Sequence, residues 1–151
     1  MDLHLLRTAD RAVYTSNNDC YFANCKPSLN GTPSRQWGPG GPEDDPVLDV
    51  DDVNGFGPEN INIDQPEDDQ AYLVGVHYYR DAPGGEGNQR STLATLRIYV
   101  WERLVYEEVA LLEGTSAWWE AATIEWNSGD VDDSAAQMFA QPPAGGGGGW
   151  P

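Results

Sequence analysis

The sequence predicts an all-β protein: a single antiparallel β-sandwich of about eight strands, followed by a Gly/Pro-rich C-terminal tail. Three observations carry this. Residues 92–100 alternate, with Leu96, Ile98 and Val100 on one side and Thr95, Arg97 and Tyr99 on the other, as a half-buried strand requires. Short apolar runs recur between clusters of Gly, Pro, Asn and Asp, the punctuation of strands and turns. No segment sustains a helical period, and residues 134–140 offer one poor helical turn at most.

Taken in order, Leu3-His4-Leu5-Leu6 and Ala12-Val13-Tyr14 flank Thr8-Ala9-Asp10 as a first hairpin. Residues 26–46, rich in Gly and Pro around Trp37, form a long loop, and loops of that length are functional or mobile. Val47-Leu48-Asp49-Val50 is a short strand entering an acidic turn, and Ile61-Asn62-Ile63 alternates like a strand. Residues 71–79 form the strongest strand, and residues 80–90 a polar connection. Leu104-Val105-Tyr106-Glu107 pairs back onto residues 92–100 as a hairpin. Residues 118–126 close the set, with Ala122, Ile124 and Trp126 on one face. From Asp130 the pattern decays into polar residues, Pro142-Pro143 and a glycine run ending in Trp150-Pro151, which holds neither strand nor helix. The domain is therefore assigned to residues 1–131 and the tail to residues 132–151.

A chain of 151 residues suffices for one domain with a real core. Lys and Arg number 8 against 25 Asp and Glu, a formal charge of -17. Such a surface repels nucleic acid and anionic lipid and attracts divalent cations or basic proteins, although acidity alone also keeps a surface protein soluble. No stretch is long and apolar enough to insert in a bilayer, and the opening MDLHLL lacks the pattern of a signal peptide. Cys20 and Cys25 are the only cysteines. Their four-residue spacing suits a small disulfide-closed loop, whereas free thiols would indicate a reducing compartment and a zinc knuckle would need two nearer ligands than His4 and His77. A disulfide favours an extracellular or cell-surface location.

The segment from Leu48 to Ile61 concentrates oxygen donors. Calcium takes six to eight hard oxygens. Asp49 and Asp51 share a side of an extended chain, Asp52 and Asn54 fall at the turn, Gly55 and Gly57 let the loop wrap back, and Glu59 and Asn60 return further oxygens. Asp2, on one face with His4, can lend another carboxylate. The spacing is not that of an EF-hand. A calcium site is the expectation, and a solvated acidic turn the alternative.

Asp2-Leu3-His4-Leu5, then Leu48-Asp49-Val50-Asp51-Asp52 with Gly55-Phe56-Gly57-Pro58-Glu59-Asn60-Ile61, then Val74-Gly75-Val76-His77-Tyr78-Tyr79, resemble a family of bacterial secreted modules found in myxobacterial surface proteins and similar to the YfaP-like domain. The resemblance covers roughly residues 2–131. It implies a secreted β-sandwich appended to larger proteins, without established catalysis and commonly with a Cys pair near Cys20 and Cys25. Calcium is not implied by the resemblance. Family strands begin upstream of the first Asp, and the family hairpin turn carries Asn-Gly or Asp-Gly where this chain has Trp101-Glu102. The Gly-rich tail has no family counterpart.

No catalytic elbow, triad or phosphate-cradling loop is present, so the chain is not expected to be an enzyme. Aromatics make up 11% of it. Trp101, Trp118, Trp119 and Trp150 are candidate contacts for a protein or glycan on a cell surface, which points to adhesion or ligand binding. The alternatives are a carbohydrate-binding module and a self-assembling subunit of an oligomer or filament, with Trp101 or Trp150 in the intermolecular contact.

Overall fold

The computed structural model describes residues 1–7, 13–14, 17–27, 37–38, 41–52, 57–79 and 91–143. It is all-β and antiparallel. The strands are β1 (Asp2–Arg7), β2 (Asp19–Cys20), β3 (Val47–Val50), β4 (Asn60–Asn62), β5 (Ala71–His77), β6 (Ser91–Val100), β7 (Arg103–Glu113), β8 (Trp118–Glu125), β9 (Asp130–Asp132) and β10 (Gln137–Phe139).

The main sheet runs β10-β8-β5-β1-β2, with β9 also on β8. One face is covered by two separate hairpins, β3–β4 and β6–β7. The reason lies in β6, whose Ala94, Leu96, Ile98 and Val100 are buried while Leu93, Thr95, Arg97 and Tyr99 are exposed. That apolar edge packs with Leu112 onto Val74, Val76, Trp119 and Ala122 of the main sheet. A second cluster joins Leu48 of β3 to Tyr72 of β5, Trp37 and the Cys20–Cys25 disulfide, whose Cα atoms lie 5.3 Å apart. Burying side chains of this size contributes roughly 1.5–3 kcal/mol each.

The structure bears on three expectations. Among the described residues β1 has no pairing with Val13 or Tyr14, and Ala12 lies outside them. Instead β1 pairs with β2 and β5, while Val13 is buried against Leu6, Leu73 and Trp118. β9 and β10, which reach into the residues assigned to the tail, pair with β8. These two strands are mostly exposed, so backbone pairing rather than apolar alternation defines them, and periodicity is blind to that. The long loop is tied down at Trp37, which stacks on Tyr72 (centroids 5.9 Å apart) and donates from Nε1 to the Asn17 carbonyl at 2.6 Å. Residues 144–151 lie outside the described residues, as does Asn54.

The β6–β7 turn is made by Trp101 (φ +47°) and Glu102 (φ +63°), both left-handed. A two-residue hairpin turn demands that geometry of whichever residues occupy it, and Asn-Gly meets the demand at less cost.

Candidate metal centre

Alternation along β1 turns Leu3 and Leu5 toward the covering hairpins and Asp2, His4 and Leu6 toward the opposite face. Register then decides their neighbours. Asp2 lies opposite His77 on β5, and His4 opposite Gly75. Gly75 is required there, since a Cβ at that position would meet the Trp118 ring at 2.2 Å. The indole fills the space and presents its edge to the His4 ring, with centroids 5.0 Å apart. Tyr21 stacks on His4 at 5.4 Å.

The result is a buried group of three donors. His4 and His77 are 0% and 1% exposed and Asp2 is 9% exposed. One ligand atom from each of Asp2, His4 and His77 lies within 4.8 Å of the others. His4 Nδ1 is 2.9 Å and 3.1 Å from the two carboxylate oxygens of Asp19. Asp19 also accepts the Tyr14 backbone N–H at 2.6 Å. An ionised carboxylate only accepts, so the proton of a neutral His4 ring sits on Nδ1 and leaves Nε2 bare. That Nε2 is buried with no hydrogen-bond partner among the described residues. A carboxylate holding one imidazole nitrogen so that the other is free is the outer-shell arrangement of metal-ligating histidines.

The Tyr14 hydroxyl contacts His77 Nδ1 and lies 3.4 Å from Asp2 Oδ2. Tyr14 is held at φ +65°, a left-handed strain that puts its hydroxyl beside the three donors. Burial is the main cause that lowers the His77 pKa to about 3. Burial also raises the Asp2 carboxyl. Each shift disfavours the charged form. A bound cation would restore the Asp2 carboxylate and use the neutral imidazole as it stands.

The acidic segment is disposed differently. Asp49 accepts from Asn60 Nδ2 at 3.2 Å on the exposed surface. Asp51 pairs with Lys26 at 2.5 Å. Asp52 accepts the Gly57 N–H at 2.5 Å. Glu59 Oε2 accepts the Leu3 N–H at 2.6 Å, while Oε1 is buried without a partner among the described residues. Burial is the main cause that raises the Glu59 pKa to about 7, opposed by the Leu3 N–H. Of the residues expected at a cation site, Asp2 alone belongs to the buried group of three. His4, His77, Asp19 and Tyr14 were not expected there. The shared face of Asp2 and His4 was legible, but the pairing that brings in His77 was not.

Among the tryptophans, Trp118 and Trp119 are both buried, at 0% and 3% exposed, on opposite faces of β8, so neither presents a platform. Trp101 is 71% exposed and leans on Trp126, with ring centroids 5.5 Å apart. Trp150 lies outside the described residues.

No family model matches the chain, and no curated protein or solved structure matches it.

Proposed function

We propose that the chain is a non-catalytic, metal-stabilised β-sandwich binding module of a secreted or cell-surface protein, with the metal at Asp2, His4 and His77. The observation that carries this reading is the buried Nε2 of His4, without a partner among the described residues, on a ring held by Asp19 and grouped with a second imidazole and a carboxylate. Two nitrogen donors and one carboxylate suit zinc or a similar borderline ion, whereas calcium takes oxygen. The Tyr14 hydroxyl, which lies against both Asp2 and His77, would be the nearest further oxygen donor to such an ion. The full burial of both histidines favours a structural over a catalytic metal. The Cys20–Cys25 disulfide supports an oxidising compartment. Among the described residues no helix is long and apolar enough to cross a membrane.

The test is a melt of chelator-treated protein with zinc or calcium added. Binding to the folded state at a hundredfold excess over Kd contributes about 2.7 kcal/mol. Zinc is expected to raise Tm by several degrees, saturating at one equivalent, with calcium having little effect. A calcium response alone would return the site to the acidic segment.

A second reading, a self-assembling subunit, draws on the outer face of the β6–β7 hairpin, where Leu93, Tyr99, Leu104, Val109 and Leu111 are exposed beside Trp101. Light scattering of the wild type beside Trp101→Ser at low and high salt tests it. A salt-promoted oligomer lost in the variant supports assembly, and a monomer throughout removes it.

A further inference from the structure

We propose that two copies of this chain close on each other through the outer face of the β6–β7 hairpin, face to face, as a twofold dimer. The inference rests on the reading of the chain as a self-assembling subunit and is independent of the metal centre.

Alternation along β6 sends Ala94, Leu96, Ile98 and Val100 into the core and Leu93, Thr95, Arg97 and Tyr99 outward. Register carries the outward face onto β7, because residues directly opposite in an antiparallel pair share a side. Leu93 lies opposite Leu111, Thr95 opposite Val109, Arg97 opposite Glu107 and Tyr99 opposite Leu104. An antiparallel sheet that meets water on one side ordinarily carries polar residues there. This one is apolar at both ends of the hairpin, with an ion pair between.

The exposed area is large enough to matter. Leu93, Tyr99, Leu104, Val109 and Leu111 are each about half to two-thirds exposed, and Trp101 at the turn is 71% exposed. Together they leave on the order of 700 Å² open, above the roughly 300–600 Å² of the largest patch on a typical monomer and close to the roughly 800 Å² per partner of a specific interface. Removing such a surface from water is favourable.

Charge selects the occupant. The chain carries -17, so two copies repel wherever acidic surfaces meet. On the four rungs of this face the only charges are Arg97 and Glu107, which pair with each other. The face is therefore neutral: a second copy can approach it, whereas a basic partner finds no unpaired acid and a sugar finds few hydrogen bonds. The same pair fixes the orientation. A twofold axis along the strands lays β6 on β7 of the second copy, so that Leu93 meets Leu111, Tyr99 meets Leu104 and each Arg97 meets a Glu107. An axis across the strands would set Arg97 on Arg97. Sheets packed with their strands nearly aligned, about 10 Å apart, are the ordinary sandwich arrangement.

The experiment uses the full chain, with dimerisation read by sedimentation equilibrium at low salt and at physiological ionic strength, where the Debye length shortens to about 8 Å. The wild type is expected to dimerise, more tightly at the higher salt. Arg97→Glu and Glu107→Arg, shown to be folded by unchanged circular dichroism spectra, are each expected to weaken the dimer at least about tenfold. Mixed in equal amounts, the two variants are expected to pair with each other, since their like-charged rungs then face opposite charges. Glu107→Arg is the sharper variant, because it makes the chain less acidic and net charge alone would tighten its dimer. A dimer indifferent to both reversals, a mixture that stays monomeric, or oligomers that grow beyond two overturn the face-to-face dimer while leaving self-assembly standing. A wild type that stays monomeric at both salts overturns both, and cosedimentation of that monomer with phosphatidylcholine vesicles gives the face to lipid instead.

Discussion

The centre at Asp2, His4 and His77 and the acidic segment at residues 49–60 are neighbours, since Asp51 raises the proton affinity of both Asp2 and Glu59. Yet they manage charge in opposite ways. In the acidic segment exposed Asp49 and half-buried Asp51 and Asp52 each have a partner in Asn60, Lys26 or the Gly57 backbone. Water screens what remains. In the centre burial removes that screening, and the sheet brings Asp2 and two imidazoles together, with His4 Nε2 buried and without a partner among the described residues. The aspartate run is thus satisfied by its own neighbours, whereas the buried donors include a nitrogen without a partner among the described residues.

The comparison is broken most directly at His4. His4→Ala removes the ring held by Asp19 and leaves that buried carboxylate with the Tyr14 N–H as a remaining partner. The cost expected for breaking such a pair is about 3–5 kcal/mol, read by urea unfolding, and the zinc response should vanish. A loss under about 1 kcal/mol would place the two regions on the same footing. Asp19→Asn is milder. It keeps the shape but weakens the hold on the ring, and an outer-shell change of this kind typically lowers metal affinity about 10–100-fold.

How far the sequence revealed this contrast depended on the kind of signal. The β6 strand was legible because one face meets the core and the other meets water. The pairing of Cys20 with Cys25 was legible from local spacing. β9 and β10 left no trace, because exposed side chains carry no burial pattern. The Asp2 and His4 alternation was visible, but His77 joins them only through the antiparallel register of β1 on β5. Distance along the chain says nothing about that register.

Glu59 sharpens the boundary between the regions through pH. Its folded pKa of about 7 stands above the unfolded value near 4.5. Its contribution is fully present below pH 4.5 and is lost as pH rises through 7. Stability of the metal-free wild type should therefore carry a falling component across that window, and Glu59→Gln should flatten it. An unchanged slope in the variant would assign the pH dependence elsewhere. His77, lowered to about 3, acts in the opposite sense, its contribution being present above pH 6.5 and lost as pH falls toward 3.

Smallest of all should be Asp49→Asn, which touches only an exposed contact to Asn60. A change within about 0.5 kcal/mol is expected, with zinc affinity unaltered. A larger loss of either would show that the exposed segment takes part in the centre.

The measurement that bears most directly on the account is X-ray absorption at the zinc edge of the loaded protein, beside the His77→Ala variant. The account predicts two imidazole nitrogens and carboxylate oxygen at about 2.0–2.2 Å in the wild type, and loss of one imidazole or of the metal in the variant. An all-oxygen shell, or a spectrum indifferent to His77→Ala, would contradict it.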